Sequence, residues 1–128
     1  MNFKKKQKTS KIVKRRNRER YFTSKLTKSL NNKTSFAWKL PDLSTGIKPF
    51  DIFCVINGKP MAIECKMKKV KTIRKPQKYL TKHQEHFLRQ FKNAGGNSYI
   101  VFFDHAGKME IYELDSYKMM GESLNDLF

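Results

Sequence analysis

Residues 48–67 read KPFDIFCVINGKPMAIECKM, and the Asn57-Gly58 pair at the centre decides how the stretch folds. Both residues tolerate the positive φ that a type I′ turn requires, and apolar runs flank them, so the stretch reads as a β-hairpin. Counting outward from a two-residue loop, Ile56 pairs with Lys59, and Asp51 comes to lie directly opposite Glu64. Lys66 follows two residues later and shares the face of Glu64, because side chains alternate along a strand. A three-residue loop would instead bring Asp51 opposite Cys65. Directly opposed residues have Cβ atoms about 4.5–5.5 Å apart, and opposed like charges are destabilising. Two carboxylates held that way in an apolar hairpin call for a cation, and a divalent metal with an ammonium beside it fits. The simpler alternative is an edge hairpin with a solvated charged face, in which Lys66 is a salt-bridge partner.

The rest of the composition sharpens the first reading. The first 103 residues hold only five acidic residues, Glu19, Asp42, Asp51, Glu64 and Glu85. Two of them sit in apolar strands, where solubility does not explain them. The formal net charge is +17, and residues 1–20 carry ten Lys and Arg against one Glu. Residues 104–128 reverse the balance, with six acids and two Lys. The basic arm and the basic middle of the chain point to a polyanionic partner. The arm has too few apolar residues to lie in a membrane surface, and no apolar run is long enough to span one. No charged segment followed by an apolar stretch marks a secretory leader, so an intracellular location is expected. Cys54 and Cys65 do not face each other in the hairpin register and read as reduced, small apolar core residues.

Length fits one domain over residues 16–128, preceded by a disordered basic arm at 1–15. A helix is expected from about Asn17 to Leu30, with Phe22, Leu26 and Leu30 along one face and Glu19 near it. A strand at 35–40 follows, then a loop carrying Ser44-Thr45-Gly46, then the hairpin. Residues 68–80 are basic and read as a loop over the hairpin end. Thr81-Lys82-His83-Gln84 is a capping box that opens a second helix, with Phe87, Leu88 and Phe91 on its buried face. Gly95-Gly96 ends it. Strands at 98–103 and 109–114 complete the order α-β-β-β-α-β-β, an α/β or α+β domain around a mixed sheet. Trp38 and the Phe residues read as core. His83, His86 and His105 show no zinc-ligand spacing.

Pro49-Phe50-Asp51, followed after twelve residues by Glu64-Cys65-Lys66, resembles the motif of the PD-(D/E)xK nuclease superfamily. Within it the chain is similar to Holliday junction resolvases of the archaeal and RecU types. Arg18-Glu19-Arg20 before Phe22 and Leu26 resembles the resolvase entry helix, Ser44-Thr45-Gly46 a Ser-Gly loop of the archaeal enzymes, and His83-Gln84 before Phe87-Leu88 the RecU-type His-Gln helix. The likeness covers about residues 17–115. The 41–48 loop is short where RecU-type proteins carry a protruding stalk.

The resemblance implies a restriction-endonuclease-like core and a metal-dependent endodeoxyribonuclease. Asp51 and Glu64 would hold Mg²⁺, with Mn²⁺ as a substitute and the Cys65 backbone carbonyl as a further ligand. Lys66 would position or deprotonate the attacking water and offset charge on phosphorus. Glu19 would join the site from the first helix; alternatively it is a surface partner of Arg15 or Arg16. Gln84 would hydrogen-bond near Lys66, or serve the capping box alone. Candidate DNA contacts are Lys4, Lys5, Lys6, Lys14, Arg15, Arg16 and Arg18 on the arm and first helix. Others are Ser44 and Thr45, where a plain turn is the simpler reading, and Lys68, Lys69, Lys71, Arg74 and Lys75. Resolution of a four-way junction needs two matched cuts, so branched double-stranded DNA and a homodimer are the expected partners. Two alternatives stay open: a nuclease of this fold with another DNA specificity (nicking, repair or restriction-like), and a non-catalytic basic nucleic-acid-binding protein.

Overall fold

The computed structural model describes residues 3–42 and 48–127, with side chains from residue 14 onward except 125. Ser44 and Thr45 lie outside the described residues. Helix α1 (Phe3–Ser29) leads into β1 (Ser35–Lys39), β2 (Ile52–Ile56) and β3 (Lys59–Met67). A 3₁₀ turn (Pro76–Tyr79) precedes helix α2 (Lys82–Asn93). Strands β4 (Asn97–Phe103) and β5 (Met109–Glu113) and a second 3₁₀ turn (Leu124–Leu127) follow. The order is the expected one.

The helix begins at Phe3 rather than near Asn17, so its backbone runs through most of the stretch read as a disordered arm. No Gly or Pro interrupts residues 3–29, and Lys, Arg and Gln are good helix formers, so propensity favours continuation although like charges oppose it. The C-terminal half packs on the sheet: Leu26 and Leu30 are buried there with Phe22 against them.

The five strands lie in the order β1-β2-β3-β4-β5. All neighbours are antiparallel except β3 and β4, which run parallel with α2 as the crossover. The Asn57-Gly58 turn has φ of 50° and 78°, as a type I′ turn requires. It fixes the register Ile56–Lys59 through Ile52–Ile63.

Two apolar layers enclose the sheet. On the α1 face Ile52, Cys54, Ile63, Cys65 and Val101 pack beneath Leu26 and Leu30. On the α2 face Phe50, Ala62, Ile100 and Phe102 meet Leu88, with Phe91 at the margin. Ser98 Oγ donates to the Leu88 carbonyl at 2.6 Å, tying helix to sheet. The layer over the α2 face stops short of β1. Phe36 is 58% and Trp38 57% exposed there, which corrects the reading of Trp38 as core. Alternation directs both to that face, and α2 lies over β3 and β4 instead. Cys54 and Cys65 are free and fully buried.

Candidate active site

Pairing between β2 and β3 ends at Ile52–Ile63, while β3 continues to Met67 beside β4. The two strands fork there, and the fork carries the acidic pair. The Asp51 N–H donates to the Ile63 carbonyl at 3.1 Å, one residue off the Ile52–Ile63 register. The ladder therefore breaks at Asp51 and the expected direct pairing with Glu64 is not made, yet the two carboxyl groups lie within hydrogen-bonding reach of each other. Both carboxylates are buried, 6% and 3% exposed. The Cys65 N–H donates to Asp51 Oδ2 at 2.8 Å, replacing the ladder bond that the departing strand no longer supplies. Within one extended residue the N–H and C=O lean to the same side. The Cys65 carbonyl therefore also leans into the fork.

A cavity of about 220 Å³ opens at the fork. Glu19 and Thr23 of α1 line it from one side, Gln84 of α2 from the other, with Asp51 and Glu64 between them. Lys66 is tied to its wall: Lys66 Nζ donates to Gln84 Oε1 at 2.9 Å. The same oxygen accepts the Thr81 N–H at 3.0 Å, while the Gln84 N–H donates to Thr81 Oγ1 at 3.1 Å. The two readings of Gln84 therefore coexist. The capping box fixes the glutamine, and the fixed glutamine holds the lysine.

The electrostatics show a crowded negative site. Burial pushes the Glu64 carboxyl well above the usual range, Asp51 pushes it further, and Lys66 and Lys48 oppose. Glu19 is raised too, first by burial and then by Asp51, against Lys66, Lys48 and Lys69. Glu19 thus senses Asp51 across the cavity. Among the described residues no three His, Cys, Asp or Glu side chains converge as a ready metal cluster. The donors that do converge are two carboxylates and a carbonyl, all oxygen. That set fits Mg²⁺, which keeps several waters and uses one or two carboxylates together with substrate phosphate.

Three participants escaped the sequence reading. Lys48 Nζ sits 2.8 Å from Asp51 Oδ1 and 2.6 Å from Asp42 Oδ1, and Arg20 Nε stands 3.7 Å from Asp42 Oδ2. Lys48 lies three residues before Asp51, in the quoted stretch itself, but nothing in its spacing shows that the chain bends it back onto the carboxylate.

The basic candidates gather elsewhere. Lys14, Arg15, Arg18, Lys68 and Lys69 line a second cavity of about 330 Å³. His105, from the turn after β4, completes it. Arg18 donates to His105 Nδ1 at 2.9 Å; His105 was not expected here. Lys68 is partly engaged by Glu110 at 2.6 Å. Arg16 lines the fork cavity. Lys71, Arg74 and Lys75 are exposed on the loop after β3, which is anchored by buried Ile73 and Pro76. Lys4, Lys5 and Lys6 lie on the first turns of α1, and their side chains are outside the described set. No helix among the described residues is long and apolar enough to cross a membrane.

No protein-family model matches the chain, and no curated protein matches it either. A solved structure does. Hjc, a Holliday junction resolvase from the archaeal hyperthermophile Archaeoglobus fulgidus, superposes with a TM-score of 0.54 at 24% identity. The match covers 74% of this chain and 75% of that one. With its five-stranded mixed sheet, its flanking helices and its acidic pair at the fork of β2 and β3, the chain has the restriction-endonuclease-like fold of Hjc.

Proposed function

We propose that the protein is a metal-dependent endodeoxyribonuclease that resolves four-way DNA junctions. One observation carries the reading: Asp51 and Glu64 are buried together at the fork of the sheet, with Lys66 two residues on from Glu64 and held by Gln84. The fold shared with Hjc, a Holliday junction resolvase, supports the junction as substrate.

In this reading Asp51, Glu64 and the Cys65 carbonyl would hold Mg²⁺, with Mn²⁺ as a substitute, and Glu19 would contribute through water. When bound, the ion lowers the pKa of a water and stabilises the leaving oxygen. Burial of the carboxylates keeps bulk water from competing for their charge. Lys66, aimed by Gln84, orients the attacking water and offsets charge that develops on phosphorus. Arg16 at the fork, and Lys14, Arg15, Arg18 and Lys69 at the neighbouring cavity, position backbone phosphates; such contacts fix register without reading sequence. Lys71, Arg74 and Lys75 extend that surface along the loop. Two matched cuts on a roughly two-fold junction require two sites, so the working unit is a C₂ homodimer.

The test is cleavage of a four-way junction, a linear duplex and a single strand, each with Mg²⁺ or with EDTA. Mass measurement in solution accompanies it. Junction-selective, Mg²⁺-dependent paired cuts by a dimer are expected. Equal cutting of linear duplex would replace the resolvase reading with a nuclease of other specificity. Junction binding without cleavage in any metal would leave a binding protein.

A further inference from the structure

Asp51 makes two strong contacts. Its Oδ2 accepts the Cys65 N–H at 2.8 Å, a bond that belongs to the hairpin. Its Oδ1 faces Lys48 Nζ at 2.8 Å. Lys48 arrives from the loop before β2 and is half-buried, 21% exposed at the side chain. A second acceptor, Asp42 Oδ1, lies 2.6 Å from the same ammonium. Asp42 is the more exposed of the two acids, 53% against 9% at the side chain. One lysine is therefore shared between a carboxylate inside the cavity and one at its rim.

We infer that Lys48 is a resident counter-ion of the candidate metal site, which a divalent cation must displace from Asp51 Oδ1, and that Asp42 receives the ammonium when it leaves. The inference rests on the metal-dependent reading above. Its physical basis is the shared oxygen. With Oδ2 bonded to the backbone, Oδ1 is the Asp51 oxygen available to a metal, and it already carries a unit positive charge. Two buried carboxylates face each other at the fork, and an ammonium on one of them allows the pair to persist without metal. Asp42 lowers the cost of release, since the ammonium keeps one of its two partners. Freed from Asp51, Lys48 remains at the cavity mouth beside Arg20, where a phosphate would meet it.

The test measures Mn²⁺ affinity by calorimetry and metal-free thermal unfolding in EDTA, both independent of cleavage. Lys48→Met should tighten Mn²⁺ binding about tenfold or more, the low end for a close charge pair. It should also lower the metal-free Tm, and saturating Mn²⁺ should restore it. Lys39→Gln removes a charge that lines the same cavity but whose ammonium bonds to Ser24 Oγ. It should change Mn²⁺ affinity less than about threefold, as a screened, indirect charge does. If Lys48→Met does not fold, Lys48→Gln, which keeps a donor for Asp51, carries the same comparison. Equal effects from positions 48 and 39 would overturn the inference by assigning the change to long-range charge. Absence of Mn²⁺ binding in wild type and variants alike would remove the metal-dependent reading itself, and the inference with it.

Discussion

Glu64→Gln should make the metal-free protein more stable, not less. Glu64 is 3% exposed and its carboxyl lies against that of Asp51, and burial followed by the Asp51 charge raises its carboxyl well above its usual range. The folded state therefore binds the Glu64 proton more tightly than the unfolded chain does. Stability from this group is full below the ordinary Glu value near 4.5 and falls as pH rises through the folded value. Glutamine keeps the shape and removes the charge. Relief of a buried, imperfectly matched polar group is worth about 1–3 kcal/mol, and a chain of this length shifts by roughly 4 °C per kcal/mol. The expected gain in Tm in EDTA at pH 8 is thus about 4–12 °C, and the gain should vanish near pH 4. Divalent metal should invert the ranking, because a ligand at 100 times its Kd stabilises the native state by about 2.7 kcal/mol and the variant has lost half of the acidic pair. Thermal unfolding by circular dichroism across pH, in EDTA and in Mn²⁺, measures all of this. A variant less stable than wild type in EDTA at pH 8, or equally favoured at pH 4 and pH 8, would refute the account of a strained acidic pair.

Lys66→Ala should leave Mn²⁺ binding and junction binding in place while cleavage falls by about 10²–10⁴-fold, the range for a lost proton-transfer or positioning group; single-turnover gels check this. Asp51→Asn should abolish Mg²⁺-dependent cleavage and preserve junction binding in a mobility-shift assay, since repulsion from phosphate falls. Deleting residues 1–14 should flatten the dependence of log K on log salt by removing counterion-releasing contacts, and unchanged salt dependence would assign those contacts to the Lys71–Lys75 loop. Leu88→Ala should cost about 2–5 kcal/mol by opening a cavity in a fully buried position, read by denaturant titration.

The parts of the site that were legible in the sequence are those set by local rules. A two-residue turn fixes a register, so counting outward from Asn57-Gly58 gave the pairs as far as Ile52–Ile63. The break in the ladder at Asp51, which brings its carboxyl to Glu64, is not written in that count. A capping box fixes a helix start, so Gln84 was placed before any fold was known. The parts that were not legible depend on where distant pieces meet. Lys48 is only three residues from Asp51, but its ammonium meets that carboxylate together with Asp42, a contact that spacing alone does not set. Arg18 and His105 are 87 residues apart and meet through the packing of α1 beside the end of the sheet. Trp38 alternates like a core residue and is exposed because the second helix lands on β3 and β4. The first helix overran its expected start because sequence patterning marks an apolar stripe, and the Lys- and Arg-rich residues 3–16 carry no such stripe in the sequence.

The two buried thiols give the hairpin a built-in clock. Cys54 lies on one arm and Cys65 on the other, and neither side chain reaches solvent. Burial lifts the Cys54 thiol to about 12 and the Cys65 thiol far above its ordinary value. Thiolate is the reactive form, so neither sulfur should react with an alkylating reagent while the sheet is closed. Modification then proceeds only through opening, and its rate reads the free energy of that opening. Cys65 sits between Glu64 and Lys66, and its own backbone faces the fork. Its protection by divalent cations, compared with that of Cys54, would report how firmly the site is clamped, without adding a probe to the protein.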